Sequence, residues 1–118
     1  MVLAFEVGNT NSRVAHQHGD DRPDLIAAEC GNRLIKSYVT FEADGSHVVG
    51  SASYRIAQRN PAATVHGIAS RVAEEGAVLK YSVADKPKQS AVADVYGTLL
   101  GYLKNIGETV SLSVNEQS

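Results

Sequence analysis

The sequence predicts an α/β domain with a mixed sheet and one long helix, and three observations carry that prediction. Short β-rich runs bounded by Gly, Asn, Asp and Pro recur through residues 2–49. A single segment, 90–106, holds helical periodicity throughout, and an alternating Val-Ser-Leu-Ser-Val run follows it at 110–114. The order strands, short helix, long helix, strand belongs to α/β or α+β architectures. At 118 residues and 43% hydrophobic content, the chain is one domain or part of one, with enough apolar surface for a core.

Residues 2–7 and 12–17 are the first two strands, and the polar run 18–23 turns the chain into a third at 24–28, closed by Gly31-Asn32. These lengths imply an antiparallel three-strand meander. Residues 37–41 are β-rich, and Ala43-Asp44-Gly45-Ser46 makes a hairpin turn into 47–49. Gly50-Ser51 opens a helix to about residue 58, stopped by Asn60-Pro61, because proline cannot continue a helix that needs its N–H. Residues 64–74 stay open between helix and loop, since Gly67 weakens a helix. A strand at 78–83 precedes a polar link at 85–88. In the long helix Val92, Val95, Leu99, Tyr102, Leu103 and Ile106 share one face, with Ser90 as N-cap and Gly107 as stop.

Composition narrows the function. A net charge of −2 gives no reason to expect nucleic acid or an anionic membrane as partner. No apolar run approaches the ~20 residues that span a bilayer. Glu6 interrupts the first apolar run, against a signal peptide, so the expected compartment is the cytoplasm. Cys30 is the lone cysteine, which excludes an internal disulfide and, with scattered histidines, makes a poor metal site.

The chemistry is concentrated in Phe5-Glu6-Val7-Gly8-Asn9-Thr10-Asn11-Ser12. A strand brings one acid to its tip and then turns through glycine and small polar residues. Backbone N–H groups and short side chains in such a turn suit an anion, usually phosphate. Gly8 allows positive φ and close backbone approach, Thr10 and Ser12 offer hydroxyls, and Asn9 and Asn11 offer amide N–H. Glu6 would sit beside the phosphates through a water-held cation. An ordinary tight hairpin with an exposed acid fits the same residues.

The run from Phe5 to Ala15 resembles the first phosphate loop of the heat shock protein 70 (DnaK-type) chaperones, whose pattern is an acid, an apolar residue, Gly-Thr-Thr, then Asn/Tyr-Ser and apolar residues. Two further blocks follow in the same order. Ile26 to Arg33 with Ser37-Tyr38-Val39-Thr40-Phe41 is similar to the family's "I-A-N-D-x-G-N-R-x-x-P-S-Y-V-x-F". Val49-Gly50, Ala57, Arg59-Asn60-Pro61 and Thr64-Val65 are similar to its "V-G-x-x-A…N-P-x-N-T-V". The resemblance implies an actin-like, ribonuclease-H-like ATPase fold. Residues 1–118 would be part of lobe I, with an outer subdomain over about 34–107 and a central strand at 110–114. It implies ATP and Mg as ligands of the complete two-lobed protein, phosphates on Gly8, Asn9, Thr10 and Asn11, and Glu6 reaching the metal through water.

Several positions depart from the family. The acid is normally Asp, and Glu6 extends it by about 1.5 Å, one C–C bond. Asn9 replaces the first Thr of the loop and Lys36 replaces a proline, while direct counting puts Ala69 at the catalytic lysine, with Arg71 as its substitute only in a slipped register. The stretch after Arg71 is shorter, and Val114-Asn115-Glu116-Gln117 lacks the family's Pro-x-x-Phe. The second phosphate loop, adenosine pocket, peptide-binding domain and lid do not occur in these 118 residues, so the chain alone is expected not to hydrolyse ATP. Gly-Asn-Thr and Ala69 are most similar to the atypical member of the fungal ribosome-associated complex, which implies a J-domain protein or other chaperone subunit, and the ribosome, as partners. No catalytic residue is assigned.

Among the other polar residues, His16 and His18 read as a solvated strand end beside Asp20 and Asp21, or as two metal ligands. Arg55 and Arg59 read as a solvated face or a partner-binding one. Tyr81, Tyr96 and Tyr102 read as the rim of the core. Three functions compete. The first is a divergent chaperone-type ATP-binding domain in a regulatory or co-chaperone subunit, with weak or no hydrolysis. The second is an actin-like-superfamily small-molecule kinase, because type III pantothenate kinases also open with "D-x-G-N-T-N". The third is a non-enzymatic interaction scaffold.

Overall fold

A computed structural model of the chain describes residues 2–17, 19–20, 22–27 and 33–117, with side chains described through Thr109. Strand β1 (Val2–Val7) pairs antiparallel with β2 (Asn11–Gln17), Val7 lying opposite Ser12 and Val2 opposite Gln17. Strands β3 (Asp24–Leu25) and β4 (Ile35–Lys36) both add antiparallel to β2. The meander is therefore as the sequence predicts, with its third strand shortened. Past Leu25 the chain turns inward, where Ile26 is buried and its N–H donates to the Val14 carbonyl at 2.8 Å. The predicted close of that strand at Gly31-Asn32 lies outside the described residues.

A second sheet has the order β6-β5-β7, from β5 (Val39–Phe41), β6 (His47–Val49) and β7 (Thr64–Val65), all antiparallel. The β5–β6 turn is the predicted one. Asp44 there accepts the Ser46 hydroxyl at 2.6 Å and the Ser46 N–H at 2.9 Å, which together hold its carboxyl below the ordinary value of 3.8. Helix α1 (Ser51–Ala57) follows Gly50 as predicted. Buried hydroxyls tie it to the sheet: Thr40 Oγ1 lies 2.7 Å from both Ser53 Oγ and Thr64 Oγ1.

The last part of the chain corrects the sequence reading in four places. The expected polar link at 85–88 is instead the start of β9 (Lys86–Ala91), which pairs antiparallel with β8 (Val78–Val83). Ala84 and Asp85, at φ 50 and 63, make the two-residue turn with both positions left-handed that matches strand twist. Lys86-Pro87-Lys88-Gln89 carries no apolar alternation because all four are exposed, and Pro87 is tolerated where a strand has only one neighbour.

Ser90 belongs to β9, and its hydroxyl lies 2.8 Å from the Tyr81 hydroxyl, so it is not a helix cap. Helix α2 (Val92–Gln117) begins two residues later. Nor does Gly107 stop the helix: it is a buried contact point, where a Cβ would meet Leu3 Cδ1 at 3.2 Å and Val14 Cγ1 at 3.3 Å. The helix continues through the segment expected to be a strand at 110–114. A helix pairs its backbone within itself, whereas a strand needs a neighbour's edge, and no described strand pairs with this segment.

The predicted apolar face of α2 holds and serves two cores. Val92 and Val95 pack with Val39, Val65, Ile68 and Leu79, while Leu99 and Leu103 pack with Val14, Ile26 and Ile35, rimmed by Tyr102 and Ile106. Leu99 and Leu103 are both 0% exposed, a burial that contributes roughly 1.5–3 kcal/mol per side chain. One helix thus fixes the β1–β2 sheet relative to the second sheet and the β8–β9 hairpin. No described helix is long and apolar enough to cross a membrane.

Candidate phosphate-binding site

The loop Gly8-Asn9-Thr10 joins β1 to β2, and the cause of its tightness is at Gly8. The Gly8 N–H donates to the Asn11 carbonyl at 3.0 Å, and a Cβ on Gly8 would lie 2.8 Å from that oxygen. Glycine is needed here for close approach within the hairpin, not for positive φ.

Three other segments hold the loop. Ser37 N–H donates to the Thr10 carbonyl at 2.9 Å, and Gly67 N–H to the Asn9 carbonyl at 3.3 Å. Ser70 N–H donates to Asn9 Oδ1 at 2.8 Å. Gly67, at φ +69, turns the chain so that the tight turn Ala69–Arg71 meets Asn9. Just outside these bonds the rings of Tyr38 and His66 stack at 4.7 Å, and Lys36, in the place of the family's proline, lies 4.7 Å from the centre of the Tyr54 ring. With the carbonyls of Asn9 and Thr10 satisfied, their own N–H groups have no partner among the described residues, and both residues are exposed. Two backbone donors, the Thr10 hydroxyl and the Asn9 amide N–H therefore remain for an anion.

A family model described as Hsp70 protein matches residues 2–111. The chain belongs to the Hsp70 family. It is the N-terminal nucleotide-binding region of that family, part of an actin-like ATPase fold and a chaperone-type ATP-binding domain. Members of the Hsp70 family generally bind ATP and Mg.

The residues fit those two ligands unequally. The loop fits phosphate, since Gly8 draws the hairpin closed and Asn9 and Thr10 keep outward donors. The acid does not fit the metal equally well. Glu6 faces Arg13 directly across the β1–β2 ladder, and the Arg13 guanidinium donates to Glu6 Oε1. Among the described residues no group of three His, Cys, Asp or Glu is placed to hold a metal.

Of the predicted site residues, Gly8, Asn9 and Thr10 come together in the loop, and Asn11 opens β2 opposite Lys36. Ser12 does not belong to the site: it is 1% exposed and its hydroxyl bonds Ser37 Oγ at 2.7 Å. Ala69 reaches the site's edge by position, in the turn that docks on Asn9. Arg71 is turned to Glu74, Nε to Oε2 at 3.4 Å. Arg13 and the three residues that hold the loop, Ser37, Gly67 and Ser70, are not legible as participants from residue type. Arg13 could have been found by folding residues 2–7 against 12–17 about the loop, which puts 6 opposite 13. Ser70 acts through its backbone N–H, which no residue type signals. Of the two candidate metal ligands His16 and His18, His18 lies outside the described residues.

Proposed function

We propose that the chain is the phosphate-gripping part of a nucleotide-binding domain that retains ATP with little or no hydrolysis, in a regulatory or co-chaperone subunit of protein folding. The turn at 69–71 carries this reading. By resemblance, the family's catalytic lysine comes from this turn, and here the turn is fastened to Asn9 with Ala69 in that place and Arg71 engaged by Glu74. Losing a positioned charge at a phosphoryl-transfer site lowers the rate by orders of magnitude. Loop donors that bind the phosphates of substrate and transition state alike hold the nucleotide without accelerating its cleavage.

On this reading ATP holds two lobes together rather than driving a cycle, residues 34–107 form an outer subdomain, and the partner is a J-domain protein or another chaperone subunit at the cytoplasmic ribosome. The family match supports a chaperone function over a small-molecule kinase. Calorimetric titration of ATP into the longest natural form of the protein, with turnover measured alongside, tests the proposal. Binding with turnover near background is expected. Robust turnover would overturn it, and absence of binding would favour a scaffold.

A further inference from the structure

One of this chain's departures lies face to face with a cation. Glu6 is one methylene longer than the acid the family resemblance leads one to expect, and the residue directly opposite it in the ladder is Arg13. The extra reach brings Glu6 Oε1 onto the guanidinium. Arg13 is held there by its backbone, because its neighbours Ser12 and Val14 are 1% and 0% exposed and fix the strand. The pair sits on the sheet face away from α2, with Ala4, Ala15 and Leu25 around it in a shallow hollow of about 300 Å³.

A hydrated divalent cation is held through water by a carboxylate that keeps its charge and its free lone pairs. Glu6 keeps neither in full. Its charge is balanced by a guanidinium that cannot deprotonate in proteins, and that same positive group would repel a metal brought to the carboxylate. Exposed pairs of this kind add little to stability, so the consequence lies in local charge.

We infer that Arg13 replaces the divalent cation at this end of the site: the Glu6–Arg13 pair makes phosphate binding by the Gly8–Thr10 loop independent of metal. The inference rests on the loop being a phosphate site, and the experiment separates the two. In ¹⁵N-labelled protein, Mn²⁺ should broaden the Glu6, Val7 and Gly8 amides no more than those of Asp44 and Asp85, exposed acids in the turns of the other two hairpins. Arg13→Gln should make the loop broadening dominant, and Arg13→Lys, which keeps the charge, should behave as the parent. Selective loop broadening in the parent protein would overturn the inference, and that measurement stands even if a variant fails to fold. Inorganic tripolyphosphate is the second probe. The Asn9 and Thr10 amides should shift with midpoints that agree within about twofold in Mg²⁺ and in EDTA, about 0.4 kcal/mol. A tenfold tighter midpoint in Mg²⁺ would contradict metal independence. No shift in either condition refutes the phosphate reading of the loop, and the Mn²⁺ result alone then decides the role of Arg13.

Discussion

The two hairpins β1–β2 and β8–β9 have six-residue ladders of the same antiparallel kind, yet their turns are built in opposite ways. In β8–β9 the turn is self-contained: Ala84 and Asp85 adopt left-handed backbone, and an exposed polar strand returns along β8. In β1–β2 the turn is held by others. Ser37, Gly67 and Ser70 each donate a backbone N–H to it, and α2 packs beneath through Leu99, Leu103 and Gly107. The difference teaches where a binding loop comes from. A turn whose carbonyls are satisfied from outside can leave its own donors pointing at a ligand, whereas a turn that closes on itself has only local work to do.

The largest expected effect breaks the tighter hairpin. Gly8→Ala places a Cβ 2.8 Å from the Asn11 carbonyl, so the backbone must move, and urea denaturation should report a loss of about 1–3 kcal/mol. A smaller loss separates holding from folding. Asn9→Ala removes the acceptor of the Ser70 N–H and should cost about 1 kcal/mol. Hydrogen exchange should quicken at residues 67–71 and stay unchanged in β8–β9. In the self-contained hairpin the sign reverses. Ala84→Asn puts a residue that tolerates left-handed backbone at φ 50, and a gain of about 0.5–1 kcal/mol in the same assay is expected.

The smallest effect concerns the β5–β6 turn, a third case held by its own side chain. The Asp44 carboxyl is lowered by the Ser46 hydroxyl first and the Ser46 N–H second. A depressed carboxylate contributes stability above its ordinary value of 3.8 and loses it as pH falls through the lower folded value. Asp44→Ala should therefore be slightly less stable than the parent at neutral pH, and the difference in thermal midpoint should vanish in strong acid.

The same contrast explains what the sequence made legible. Period and punctuation placed β1, β2, β6, α1, β8 and the buried face of α2, because each element has an apolar stripe or a turn of Gly, Asn or Pro beside it. Strand β9 was hidden, since Lys86 to Gln89 have no buried side to alternate with. The end of α2 is not legible, because Val-Ser-Leu-Ser-Val alternates like a strand, and a local pattern carries no information on whether a partner edge is present. At the site, Gly8, Asn9 and Thr10 were readable as residue types. Their holding was not, because Ser37, Gly67 and Ser70 act through backbone N–H groups that any residue but proline possesses. Arg13 was readable only once the ladder was counted.

In the proposed function the loop retains nucleotide while the turn at 69–71 lacks the charge that hydrolysis needs. ATP turnover by the longest natural form, set beside its Ala69→Lys variant at saturating nucleotide, tests that claim most directly. Turnover near background in the parent and at least about tenfold higher in the variant is the predicted result, about 1.4 kcal/mol of transition-state stabilisation. Rapid turnover in the parent, unchanged by Ala69→Lys, would contradict it.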